Sequence, residues 1–149
     1  MTQEEKDLLL KDLCSRLPYG VKVQIDLQSN IYPPMICKVC NIELSEMGGS
    51  FIGVEVLPDS YSEYREFLCK PCLYPLSSMT EEQEKELYKV YSDEADLIAE
   101  HLKSDISGNV HTHRFNHQLS LNWYLKNHFD IHNLIPMGLA IDATNINIY

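Results

Sequence analysis

The stretch "ICKVCNIEL", Ile36–Leu44, decides the fold because it supports two incompatible local structures. Read as Cys-x-x-Cys it is half of a zinc ribbon, with "LCKPCL", Leu68–Leu73, as the other half. Thiolates are strong ligands for Zn(II), and two residues between paired cysteines let one tight turn aim both sulfurs at the same ion. A spacer of 28 residues between Cys40 and Cys69 suits that arrangement, so a four-thiolate site on Cys37, Cys40, Cys69 and Cys72 is one candidate, with zinc as its cofactor. Read by alternation, the same residues are a β-strand. Residues three apart on a strand face opposite sides, so extended chain cannot bring either pair to one ion, and neither pair is followed by glycine. The strand reading puts Cys40 on the inner face with Ile42 and Leu44 and points Cys37 the other way, with the thiols acting as small hydrophobes.

The flanking sequence favours the strand. In "VKVQIDL" Val21, Val23, Ile25 and Leu27 alternate with Lys22, Gln24 and Asp26, and "SFIGVEVL" follows a turn around "EMGG". "EFLCKPCL" completes four strands, with Pro71 requiring an edge, a bend or a strand end. Before them lies a helix: Thr2 and Glu5 make a capping box, and Leu10, Leu13, Cys14 and Leu17 form one apolar stripe up to Pro18. After them, Thr80 and Gln83 open a second helix in which Leu87, Tyr91, Ala95, Ile98 and Leu102 keep helical spacing. "LSLNWYLKNHF" reads as a third helix, with Leu121, Leu125, His128 and Phe129 near one face, and Asp130 as the cap of a short fourth, "IHNLIPM", ended by Gly138. The expected fold is α+β in one domain: an N-terminal helix over 2–17, a small four-stranded antiparallel sheet, SH3-like or barrel-like, over 21–76, and helices over 80–140.

Twelve Lys and Arg against 22 Asp and Glu give a formal net charge of -10, a field that repels nucleic acid and suits a protein partner. Much of the acidity lies in "TEEQEKE", Thr80–Glu86, and "SDEAD", Ser92–Asp96, where it is the solvated face of a helix. No window of the sequence is apolar for long enough to span a bilayer, and the acidic, amphipathic start is unlike a secretory signal, so a cytoplasmic protein is expected. Five cysteines, an odd number, argue against a disulfide framework.

Three segments, "LLLKDLCSRLPYGV", "KPCLYPLSSMTEE" and "NHFDIHNLIPMGLA", resemble, in order and spacing, a family of small uncharacterised proteins of gut Bacteroidetes, their phages and mobile elements. The resemblance implies no biochemical activity. It implies that Cys69 and Cys72 stand where the family has an aliphatic residue and a tyrosine, which weighs against a metal site shared by the family.

All six histidines fall between His101 and His132. The cluster "HTHRFNH" offers His111, His113 and His117 at metal-binding spacings, without the acidic ligand and α/β scaffold that hydrolases of this type use. His128, beside Asp130 at a helix end where a cation is favoured, reads as structural. With no phosphate loop, nucleophile elbow or H-E-x-x-H motif in the sequence, the expected function is that of a non-enzymatic accessory protein, associated with phage or mobile elements, that binds a protein partner. A zinc-ribbon adaptor is the alternative, and a His-dependent metallohydrolase a weaker one.

Overall fold

The computed structural model describes residues 1–27, 33–44, 49–58, 60–104, 118–146 and 148–149. Helix α1, Gln3–Arg16, starts with the capping box read from sequence: Glu5 N–H donates to Thr2 Oγ1 at 3.2 Å, and Thr2 N–H donates to Glu5 Oε2 at 2.6 Å. Its buried face is Leu9, Asp12, Leu13 and Arg16, one position round from the expected stripe, and Cys14 is exposed. Leu17 stays in the right-handed helical region despite the proline after it, because a 3₁₀ turn, Leu17–Tyr19, continues the chain. Gly20, at φ 70°, ends that turn by donating to Leu17 O.

Five strands follow: β1 Lys22–Ile25, β2 Met35–Leu44, β3 Ser50–Leu57, β4 Ser60–Arg65 and β5 Cys69–Leu73. With β6, Ile141–Asp142, they form a sheet of order β4-β3-β2-β1-β5-β6, antiparallel except at β5–β6. The α+β class holds, and six strands replace the expected four. The additional β4, "SYSEYR", carries no aliphatic residue because it is an edge strand, and β6 is only two residues long. Pro71 pairs with Val23 of β1, while β6 pairs only with Cys72 and Leu73, so the far side of β5 at Pro71 has no ladder to interrupt. On the outer face, Asn41 of β2 and Tyr61 of β4 hydrogen-bond at 2.6 Å across Gly53 of β3. A Cβ at Gly53 would land on both polar groups.

Leu9 and Leu13 cover the inner face of the sheet, closing a core with Val23, Ile25, Val39, Ile52 and Val54. Each such side chain contributes about 1.5–3 kcal/mol on burial. Glu66, 2% exposed in the 3₁₀ turn Glu66–Leu68, ties this layer together by accepting from Ser50 N–H at 3.1 Å and pairing with Lys6 of α1 at 3.2 Å.

Helix α2, Glu81–Ser104, opens with the expected reciprocal Thr80–Gln83 cap, and α3 spans Gln118–Lys126. The expected fourth helix is a run of turns instead: Asn133 takes φ 57° and Pro136 removes an amide donor, so no helical ladder forms. Asp130 still caps this segment, its two carboxylate oxygens accepting from Leu134 and Ile135 N–H at 2.8 Å each, and Gly138 takes the expected left-handed φ, 71°. Leu134, Leu139 and Ala140 then pack on Leu73, and Ala143 and Ile148 on Cys72.

Candidate interaction surface

The four paired cysteines are not brought together. β2 and β3 fall out of register between Val39 and Asn41: Val39 faces Val54, Asn41 faces Gly53, and Cys40 is the extra residue of a β-bulge. The bulge inverts the alternation, so Cys37 and Val39 point into the core before it and Ile42 packs inward after it. The expected facing of the two thiols is therefore reversed, with Cys37 buried and Cys40 exposed; Ile42 faces inward as expected, whereas Leu44, the last residue of β2, is 78% exposed. In β5, Cys69 lies with Cys37 under α1, whereas Cys72 belongs to the cluster with Ala143 and Ile148. Burial pushes the Cys69 thiol up to about 12 and the Cys72 thiol up to about 11, so both are protonated, inert hydrophobes at neutral pH. Among the described residues no group of three or more His, Cys, Asp and Glu side chains converges to hold a metal ion. His111, His113 and His117 lie outside the described residues.

The polar side chains that do converge are buried and hold the fold. Asp12 and Arg16, both 0% exposed, form a bidentate pair at 2.7 and 2.9 Å. Arg16 Nη2 also donates to Phe129 O at 2.7 Å, and His132 Nδ1 lies 2.8 Å from Asp12 Oδ1, so α1 is bolted to the segment after α3. His128, in the left-handed region at φ 58°, stacks on Tyr149 with ring centroids 3.9 Å apart. Tyr149 OH accepts from Lys22 N–H at 3.0 Å and donates to Cys72 O at 3.1 Å. Burial, then the charges of Arg16 and Lys22, lower the pKa of His128 to about 4 against the pull of Asp12. This histidine is structural, as expected from sequence, but neutral where a cation was expected.

The surface with unsatisfied contact potential is on α2 and α3. Only Leu87 and Glu94 are buried among the described side chains of α2. Glu94 Oε1 accepts from Leu119 and Ser120 N–H at 2.6 and 3.0 Å, capping α3 from a neighbouring helix. Beside that buried line, Glu81, Glu84, Tyr88, Tyr91 and Ala95 recur at steps of three and four and so run along one side of α2, all exposed. Tyr88 is 74% exposed. The strip borders an open cleft of about 360 Å³ lined by Tyr91, Ser120, Leu121, Tyr124 and Ile131. The far wall is rigid: Tyr124 meets Phe129 edge-on at 6.4 Å, and Trp123 stacks on Phe129 at 5.7 Å. Tyr91 and Tyr124 hydroxyls hydrogen-bond at 3.2 Å across the cleft, and burial followed by that bond pushes Tyr124 up to about 12.

Comparison with family models, curated proteins and solved structures finds no match. No described helix is long and apolar enough to cross a membrane. Tyr91 and Ala95 keep the helical spacing read with Leu87, yet of the three only Leu87 is buried. The signal that distinguishes the strip was present: "TEEQEKE" puts Glu81 and Glu84 in line with Tyr88 and Tyr91, and acidic residues in line with aromatics mark a side that stays wet.

Proposed function

We infer that the chain is a non-enzymatic accessory protein that binds a protein partner through the α2–α3 surface. The observation that carries this reading is the exposed strip Glu81–Glu84–Tyr88–Tyr91 beside an aromatic-walled cleft, on a chain of net charge -10. Tyrosines are enriched at protein interfaces because one ring supplies large apolar area with a polar tip and few rotors to freeze. Association with phage or mobile elements belongs to the same proposal and is supported by the three motif segments. So does an SH3-like arrangement of β1–β5, supported by a meander from β1 to β4, a 3₁₀ turn, and the return of β5 to β1. A four-thiolate adaptor is not proposed, since β2 and β5 send the cysteines to different sides.

The test is site-specific photo-crosslinking in host lysate at low salt, with the crosslinker placed at Tyr88 and, as a control, at the exposed Glu63 of β4. A discrete protein species captured at Tyr88 and absent at Glu63 is expected. Recovery of general chaperones alone, or the same proteins at both positions, sinks the reading.

A further inference from the structure

We propose that the α2–α3 cleft receives a basic amphipathic helix of the partner, with apolar side chains in the cleft and Lys or Arg side chains against Glu81 and Glu84. This rests on the interaction reading above and adds the chemistry of the occupant. The cleft is lined by side chains of α2 and α3 with Ile131 and by no strand residue, so a partner there adds no strand to the sheet, which favours helix-in-groove docking over strand addition. Its polar groups are few: the Tyr91 and Tyr124 hydroxyls already bond each other, and Ser120 N–H is held by Glu94. A small-molecule site needs several convergent polar groups to fix orientation, and this cleft offers little beyond shape and apolar area.

Charge chooses among helical partners. Every charged residue on the strip is acidic: Glu81 lies ten residues before Tyr91 and Glu84 seven, the spacings that stack side chains on one helix side. Lys85, four residues after Glu81 and three before Tyr88, borders the strip and Lys89 lies farther round; Glu81, Glu82, Glu84 and Glu86 outnumber these two cations over the same turns, so the surface stays acidic. An incoming helix with an apolar row flanked by Lys or Arg would place its row over Tyr88, Tyr91 and Leu121 and its cations along the glutamates. An acidic helix of the same apolar pattern would bring like charges together.

Three fluorescent synthetic peptides decide this by anisotropy with the full chain: a Lys/Leu amphipathic helix, the same apolar pattern with Glu for every Lys, and a scramble of the first that destroys helical periodicity. Only the first is expected to bind, more weakly at physiological than at low ionic strength. The double variant Tyr91→Ser/Leu121→Ser is expected to weaken it about tenfold or more. Glu81→Gln/Glu84→Gln should weaken it and flatten its salt dependence, while Glu63→Gln on β4 changes nothing. Equal binding of the Lys and Glu peptides, or equal loss on Glu63→Gln, overturns the proposal. Failure of every peptide overturns it too; if Tyr88 still crosslinks a discrete protein, the interaction reading survives with a partner of different chemistry.

Discussion

Helices α1 and α2 use opposite strategies. The 14-residue α1 buries four side chains, two of them charged, whereas the 24-residue α2, about 36 Å long at 1.5 Å per residue, buries only Leu87 and Glu94 among its described side chains. Among the described side chains, the longer helix is therefore the less embedded. What embeds α1 is the set of groups that meet it from elsewhere: the sheet beneath Leu9 and Leu13, Phe129 O on Arg16, His132 on Asp12, and Glu66 on Lys6. Among its described side chains α2 is tied to α3 by Glu94, which accepts from Leu119 and Ser120 N–H, and by the Tyr91–Tyr124 hydroxyl bond, with an exposed strip beside them.

The hardest test of that contrast is on the buried pair. Asp12→Ala leaves the Arg16 guanidinium in the interior with Phe129 O as its remaining partner, a loss expected at about 3–5 kcal/mol in denaturant unfolding. Arg16→Met should cost a similar amount. The double variant Asp12→Leu/Arg16→Met removes both charges and should recover much of the loss, because His132, 23% exposed, can turn to water. Losses that simply add in the double variant would mean that the two residues do not act as a unit.

A second test concerns the end of α3 against this pair. Folded His128 titrates near 4, while in the unfolded chain it does so near 6.5. Between those values the unfolded state takes up a proton that the folded state refuses. Its contribution is thus complete above pH 6.5, falls as pH drops toward 4, and is level below that. Between pH 7 and pH 5 the loss is about 2 kcal/mol. His128→Asn tolerates the left-handed backbone and abolishes this component, so the variant should show a smaller pH 7 to pH 5 drop than the parent in matched denaturant titrations. Identical drops would place His128 in contact with solvent.

These buried contacts are also where the sequence was least readable. Capping boxes at Thr2 and Thr80, the alternation of β1, the strand β3 and the left-handed Gly138 are local features, and the structure has each of them where the sequence indicates. Asp12 and Arg16 form an i, i+4 pair that looks like any solvated salt bridge, and only residues 113 and 120 positions away make it interior. One bulged residue at Cys40 reversed the facing of both thiols in β2, since a period of two carries no memory of an insertion. β4 was missed for lack of an apolar face, although "LPDS" between Leu57 and Ser60, which pair directly, carried a turn signal. The candidate surface was visible as a helical line of acids and tyrosines, but its exposure depends on what does not pack on α2, and periodicity cannot report that.

The smallest expected effects come from α2 and sharpen the contrast most directly. Glu94→Ala removes the acceptor for two amides at the start of α3 and should cost about 1 kcal/mol, as loss of a helix cap does. Tyr88→Ser, on the strip, should change stability by no more than about 0.5 kcal/mol in the same denaturation assay. That outcome would leave Tyr88 free for the proposed interaction, since it would have no part in stability. If Tyr88→Ser instead unfolds the protein as Asp12→Ala does, the strip is a packing face and α2 resembles α1 after all.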